Sequence, residues 1–232
     1  MDEPNGNRSG GTGAGGRAGA RKRDTATVRA LLELHGRTYA EEAGIRLRNT
    51  PVPLYRLLVL SLLLSARIRA DTAVAAARAL FDAGLGDARS MAESGRQRRV
   101  DALGAGGYRR YDERTATQLG DGAELLLQRY RGDLRRLREE SGVGERLQRF
   151  PGIGPAGADI FLREAQGVWP EFAPYLDRRT REGAERLGLP ASPRELARLV
   201  PGEDLPRLAA GLVRAALDRK VADEVLDAAA EA

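Results

Sequence analysis

The chain has 232 residues, 42% of them hydrophobic and 31% charged, which suits one soluble domain or two small lobes sharing a core. It contains no Cys, so disulfides, Cys-ligated zinc and iron–sulfur clusters are excluded, and the single His35 leaves no His-rich metal site and no ready Ser–His–Asp triad. The net charge is +5, but residues 1–23 hold five bases against two acids, leaving only +2 for the rest. A nucleic-acid site must therefore be a local patch.

Residues 1–23 are rich in Gly, Arg and Ser and nearly devoid of apolar side chains. They read as a disordered basic tail, either a loose phosphate contact or a solvated segment without a role. There is no apolar signal core. The strongest apolar stretch, from Leu57 to Leu64, is far short of the ~20 residues that span a membrane, so a cytoplasmic, nucleoid-associated protein without membrane contact is expected.

Beyond residue 24 the pattern is helical throughout. Val28, Leu31, Leu32 and Leu34 mark a helix over 25–47, ended by Pro51 and Pro53. Residues 54–65 are apolar nearly all round and predict a buried central helix. Asp71 is placed to cap a helix running to about Ala83, where Gly84 and Gly86 break it. Short helices are expected over 87–94 and 96–103, a long one over 113–130, and short ones over 133–140 and 143–149. No period-2 alternation suggests strands. The fold class is all-α, with many short helices and short loops.

The informative stretch is residues 147–162, Leu-Gln-Arg-Phe-Pro-Gly-Ile-Gly-Pro-Ala-Gly-Ala-Asp-Ile-Phe-Leu. A helix leads into Pro151-Gly152-Ile153-Gly154, and Pro155 suits the first turn of the next helix, where its missing N–H costs nothing. Gly152 and Gly154 permit positive φ and close backbone approach, and Ile153 can plug the gap between the helices. Free N–H groups at the second helix start suit a phosphate oxygen. This is a helix-hairpin-helix, which grips a DNA backbone without reading sequence. An ordinary tight turn between helices is the bland alternative. Downstream, a Gly- and Pro-rich loop over 167–177 delivers Asp177 to the start of a helix over 178–187.

With hairpin, loop and Asp in that order, residues 50–190 resemble the helix-hairpin-helix DNA glycosylase superfamily, of the endonuclease III-like kind. The Leu62-Leu63-Leu64-Ser65-Ala66-Arg67 stretch is similar to that family's Leu-Leu-Ser-x-Gln segment, which leads into a loop that enters the DNA. The resemblance implies base excision from double-stranded DNA carrying a damaged or mismatched base. It implies DNA contacts at Gly152, Ile153, Gly154 and Gly157, a catalytic carboxylate at Asp177, and Arg67 or Ile68 filling the space of the flipped base. A carboxylate in a water-poor cleft stabilises the positive charge that develops on the sugar as the base leaves. Taken alone, Asp177 reads equally as a helix N-cap.

The departures narrow the chemistry. The hairpin lysine of strand-cleaving members falls at Ala156, which has no amine to form a Schiff base. The only lysines, Lys22 and Lys220, lie near the two ends of the chain. The expected enzyme is a monofunctional, water-using glycosylase without lyase activity, cofactor or metal, acting as a monomer. The family's His two residues beyond the Asp is Arg179, a candidate DNA contact, and the C-terminal four-Cys motif is missing, so helical packing over 204–230 must stabilise that end. The resemblance further implies two helical lobes with a cleft between them: a lobe of residues 24–52 and 151–232 is expected to face a central lobe of 53–150, joined by the hairpin. Two alternatives remain: a non-catalytic DNA-binding protein on this fold, and a helical interaction protein with no DNA role.

Overall fold

The computed structural model describes residues 13–231, with side chains from residue 19 onward. The described residues are helical, without strands, as the hydrophobic periodicity predicts. The α-helices in chain order are α1 (Gly13–His35), α2 (Tyr39–Glu42), α3 (Pro51–Leu64), α4 (Ala70–Asp82), α5 (Ala88–Glu93), α6 (Arg96–Ala105), α7 (Asp112–Tyr130), α8 (Arg135–Arg138), α9 (Val143–Leu147), α10 (Pro155–Ala165), α11 (Arg178–Arg186), α12 (Pro193–Ala197), α13 (Leu205–Leu217) and α14 (Arg219–Ala230).

Two hydrophobic cores organise them. The larger is centred on α3, whose Leu57, Leu60 and Leu63 are fully buried, and it collects α4 to α10 around them. Each such leucine contributes roughly 1.5–3 kcal/mol by leaving water. Ser61 sits in this core without cost because its hydroxyl donates to the Leu57 carbonyl at 2.8 Å. The smaller core joins Leu31 of α1 to Ala184, Leu196, Leu208, Leu212 and Val225 of α11 to α14. Gly183 makes the tightest helix crossing there: a Cβ on it would stand 1.9 Å from the Leu212 carbonyl oxygen.

Four expectations change. The helical segment of α1 begins at Gly13, so residues 13–23 are helix rather than tail, while residues 1–12 lie outside the described residues. The helix predicted over 25–47 stops at His35, and α2 restarts at Tyr39 behind a Thr38–Glu41 capping box. Pro51 and Pro53 open α3 instead of merely ending what precedes them, since the first helical turn needs no proline N–H. The lobe boundary also moves. Ala40, Ile45, all buried apolar residues of α10 and Trp169 belong to the larger core, so the hairpin's second helix is part of the central lobe. The smaller lobe is α1 with the chain from Leu176 onward.

Glu164 of α10 is buried within the larger lobe, and its Oε1 accepts from the N–H of Tyr39 at 2.9 Å and of Ala40 at 3.4 Å, so it caps α2 from a different element. The junction between lobes is polar. Arg214 of α13 donates to the carbonyls of His35 and Arg37 and to Glu42 Oε1, and its guanidinium lies 4.3 Å from the Tyr39 ring centre. These contacts fix the lobes around one cleft.

Candidate nucleic-acid interface and catalytic cleft

The hairpin forms as its sequence demands. Gly152 has φ +84°, a conformation that disfavours any residue with a Cβ, and a Cβ there would also press on Gln118 and Leu62 at 2.8–3.1 Å. Ile153 is 4% exposed; its N–H donates to the Phe150 carbonyl, and it would stand 3.4 Å from a Cβ on Gly157. Its side chain is therefore the plug between helices, and only its backbone remains at the surface turn. Gly157 is likewise buried, against Ile153 and Ser65, so its side-chain face is a packing contact rather than a contact surface for a ligand. Gly154 is the N-cap of α10 and borders open space. Among the described residues no protein acceptor takes the N–H of Gly154, Ala156 or Gly157, and these point out of the start of α10.

A cleft of about 590 Å³ opens beside this turn, between the two lobes. Ala156, Asp159, Ile160 and Arg163 line it from α10, Ser65 and Ile68 from the α3–α4 loop, and Asp177, Arg178 and Arg179 from the start of α11. The helical spacing of 156, 159, 160 and 163 puts all four on one face of α10. Neither lysine lines the cleft.

Asp177 is the N-cap of α11: its Oδ1 accepts from the Thr180 N–H at 3.1 Å. Its Oδ2 faces Arg163 Nη1 at 3.6 Å, too long for a hydrogen bond, and that nitrogen is buried without any other partner. The two side chains are only 8% and 11% exposed, so the opposite charges meet in a site largely shielded from water. The structure shows the expected helix cap, and that cap occupies only one oxygen of this cleft-lining side chain.

The loop before Asp177 is held by an unusual pairing. Gln166, 3% exposed, accepts the Tyr175 N–H at 2.9 Å and donates Nε2 to the Tyr175 carbonyl at 3.2 Å. Its amide thereby takes the place of a neighbouring strand and fixes the backbone two residues before Asp177. The Tyr175 hydroxyl donates to Asp159 Oδ1 at 2.6 Å, and burial, more than the Asp159 contact, pushes the phenol above its usual pKa range.

Arg67 and Ile68 separate. Ile68 is half-buried and lines the Asp177 cleft, whereas Arg67 is exposed and lines a neighbouring cleft of about 410 Å³ with Tyr111, Arg114, Gln118 and Gly152. The short loop carrying both divides the two clefts. Arg179 lies on the rim of the Asp177 cleft, where Arg178 and Arg179 share Glu182 at 3.4 and 2.9 Å. Of the aromatic residues, Tyr55 and Trp169 are core, with Trp169 Nε1 donating to Asn49, and Phe172 packs on Trp169. His35 is engaged by Glu224 at 3.1 Å between α1 and α14.

Arg163, Asp159 and Gln166 do not stand out in the sequence. The only signal is the helical register that aligns the first two with Ala156. A four-Cys iron–sulfur cluster does not fit this chain, which has no thiol to ligate it; α13 and α14 fill that end through Ala215, Ala222 and Val225.

The sequence matches no family profile and no curated protein. Two solved structures are similar. One is a trapped covalent intermediate of endonuclease III with DNA, an estranged-adenine complex, at 15% identity and a TM-score of 0.47. The other is a non-covalent endonuclease III–DNA complex at 15% identity and a TM-score of 0.48. In both comparisons 82% of this chain and 84% of the other are covered.

Proposed function

We propose that the protein is a monofunctional DNA glycosylase that removes a damaged or mismatched base from duplex DNA by water attack, acting as a monomer without a cofactor. The observation that carries this reading is Asp177: a shielded carboxylate with one oxygen tied to the start of α11 and the other beside Arg163 at a cleft reached from the hairpin turn.

In this reading the unpaired N–H groups of Gly154, Ala156 and Gly157 hold a backbone phosphate. The target nucleotide rotates out of the stack into the cleft, at a cost of a few kcal/mol that is least for damaged or mismatched bases. Ile68 on the cleft side and Arg67 on the other side of the loop fill the vacated space. As the bond between base and C1′ breaks, its electron pair leaves with the base and positive charge grows on the sugar. Asp177 faces that charge and orients the attacking water, whose oxygen bonds to C1′ and whose proton passes to the carboxylate. Ala156 supplies no amine, so no Schiff base forms and the strand is left abasic but intact.

Incubation with duplexes carrying uracil, alkylated purines, oxidised bases or mismatched adenine tests this reading. The expected product is an abasic strand that breaks only after alkali, with no protein–DNA adduct trapped by borohydride. A trapped adduct, or strand breaks without alkali, contradicts hydrolysis. Binding to duplex with no base released from any lesion favours the non-catalytic binder instead.

A further inference from the structure

Asp159 stands out among the cleft residues that this mechanism leaves unused. It lies one helical turn beyond Ala156 on the same face of α10, and it lines the same cleft as Asp177. Its Oδ1 accepts the Tyr175 hydroxyl at 2.6 Å, and among the described residues no cation stands within ion-pair distance of either oxygen. Asp177, by contrast, is faced by Arg163. Arg178 and Arg179 are turned to Glu182 on the rim. The interior of the cleft therefore holds two carboxylates against one guanidinium.

The lining is also poor in groups able to give up a proton. It contains no His, Lys or Glu. A guanidinium donates hydrogen bonds but does not serve as a proton-transfer acid, which sets aside Arg163, Arg178 and Arg179. Burial raises the Tyr39 phenol above its usual range, and the Ser65 hydroxyl is already donated to the Leu62 carbonyl at 2.7 Å. A neutral base leaves as an anion unless it is protonated on departure, so it needs an acid at this place. A base whose ring already carries a positive charge leaves neutral and needs none.

We propose that Asp159, oriented by Tyr175, is the specificity-determining residue of the cleft and selects a nucleobase with a cationic ring, the class formed when a purine ring nitrogen is alkylated. This inference rests on the glycosylase reading and narrows its substrate. The balance closes without a further reactant. Water bonds to C1′, the electron pair of the broken bond neutralises the ring, and the products are the abasic sugar, the neutral alkylated base and one proton taken up through Asp177. The second oxygen of Asp159 faces the charged ring before the bond breaks, and a carboxylate gains most from a cation when both are shielded from water.

The test is single-turnover base release from three duplexes, carrying a ring-methylated cationic guanine, uracil or a mismatched adenine. The intact chain is expected to release the methylated guanine fastest. Asp159→Asn should lower the ratio of cationic to neutral base release by about tenfold or more, the loss of one charge-assisted contact. Tyr175→Phe, which keeps the ring and removes only the hydroxyl, should lower the same ratio by a smaller factor and serves if the Asn variant fails to fold. Faster release of a neutral base by the intact chain, or a ratio unmoved by both substitutions, overturns the inference while the glycosylase reading stands. No release from any of the three duplexes overturns the inference, and no release from the oxidised-base duplexes of the wider panel as well overturns the glycosylase reading with it.

Discussion

Gln166 makes two bonds to a single residue, and through them it sets the position of another. With the N–H and carbonyl of Tyr175 both paired to its amide, the chain has little freedom to displace Asp177 from the cleft. Gln166→Leu leaves those two backbone groups unpaired in a buried place, and about 1–3 kcal/mol of stability should be lost for that reason. If the pairing positions Asp177, the same variant loses kcat with KM nearly unchanged, and Gln166→Glu, which keeps the oxygen that accepts the Tyr175 N–H, recovers part of it. Denaturant melts and single-turnover rates separate the two effects; equal kcat in all three proteins would show that the pairing is only structural. Asp177 itself was legible in the sequence because a Gly- and Pro-rich loop delivers it to a helix start behind a hairpin. Gln166, Arg163 and Asp159 were not, because their roles arise only when the loop folds back over α10, and no local pattern announces that. Ile153 and Gly157 were legible as hairpin residues, but burial makes their side-chain faces packing contacts.

At the scale of elements, the joins carry most of the information. Glu164 caps α2 from α10, and burial raises its pKa from an ordinary carboxyl value to about 7, although the N–H groups of Tyr39 and Ala40 pull it down. A carboxyl with a raised folded-state pKa favours the fold in its protonated form. That stability is fully present below the unfolded pKa, near 4.5, and is lost as pH rises through about 7. Glu164→Gln keeps the accepting oxygen and removes the titration, so its unfolding free energy should fall less between those pH values than that of the parent chain. Parallel slopes in denaturant titrations across this range would contradict the assignment. Gly183→Ala places a Cβ into the Leu212 carbonyl at the crossing of α11 and α13; a cost of about 1–3 kcal/mol or more is expected in the same measurement. Long helices such as α3, α4 and α7 could be read from periodicity and breakers. Pro51 was ambiguous, since a proline that forbids continuing one helix equally suits the first turn of the next. The short helix expected over 133–140 forms as the four-residue α8, whereas the split of α13 from α14 rests on Asp218 accepting the Lys220 N–H, a cap that only the folded chain reveals.

Across the whole molecule, the two cores meet along a cleft bordered by the hairpin turn, the loop of Arg67 and Ile68, and the start of α11. Charge is distributed to match. Carboxylates lie within the cleft, while exposed arginines such as Arg67 and Arg179 stand at its edges. Duplex binding through such edges should weaken with salt, each phosphate contact adding about −0.9 to the slope of log K against log salt. Removing residues 1–23 should flatten the slope if the basic segment touches DNA, and a flat response in the intact chain would favour a helical protein with no DNA role. The cleft between lobes was expected only through the family resemblance that the order of hairpin, loop and Asp carries. The lobe boundary was not, because α10 carries one face into the larger core and another into the cleft. The most direct measurement is base release by the intact chain and by Asp177→Asn, side by side on the lesion panel at equal duplex occupancy. The expected result is release by the intact chain and a loss of about a hundredfold or more in the Asn variant, which still binds duplex. Release by Asp177→Asn at the parental rate would contradict the assignment of that carboxylate to the chemistry.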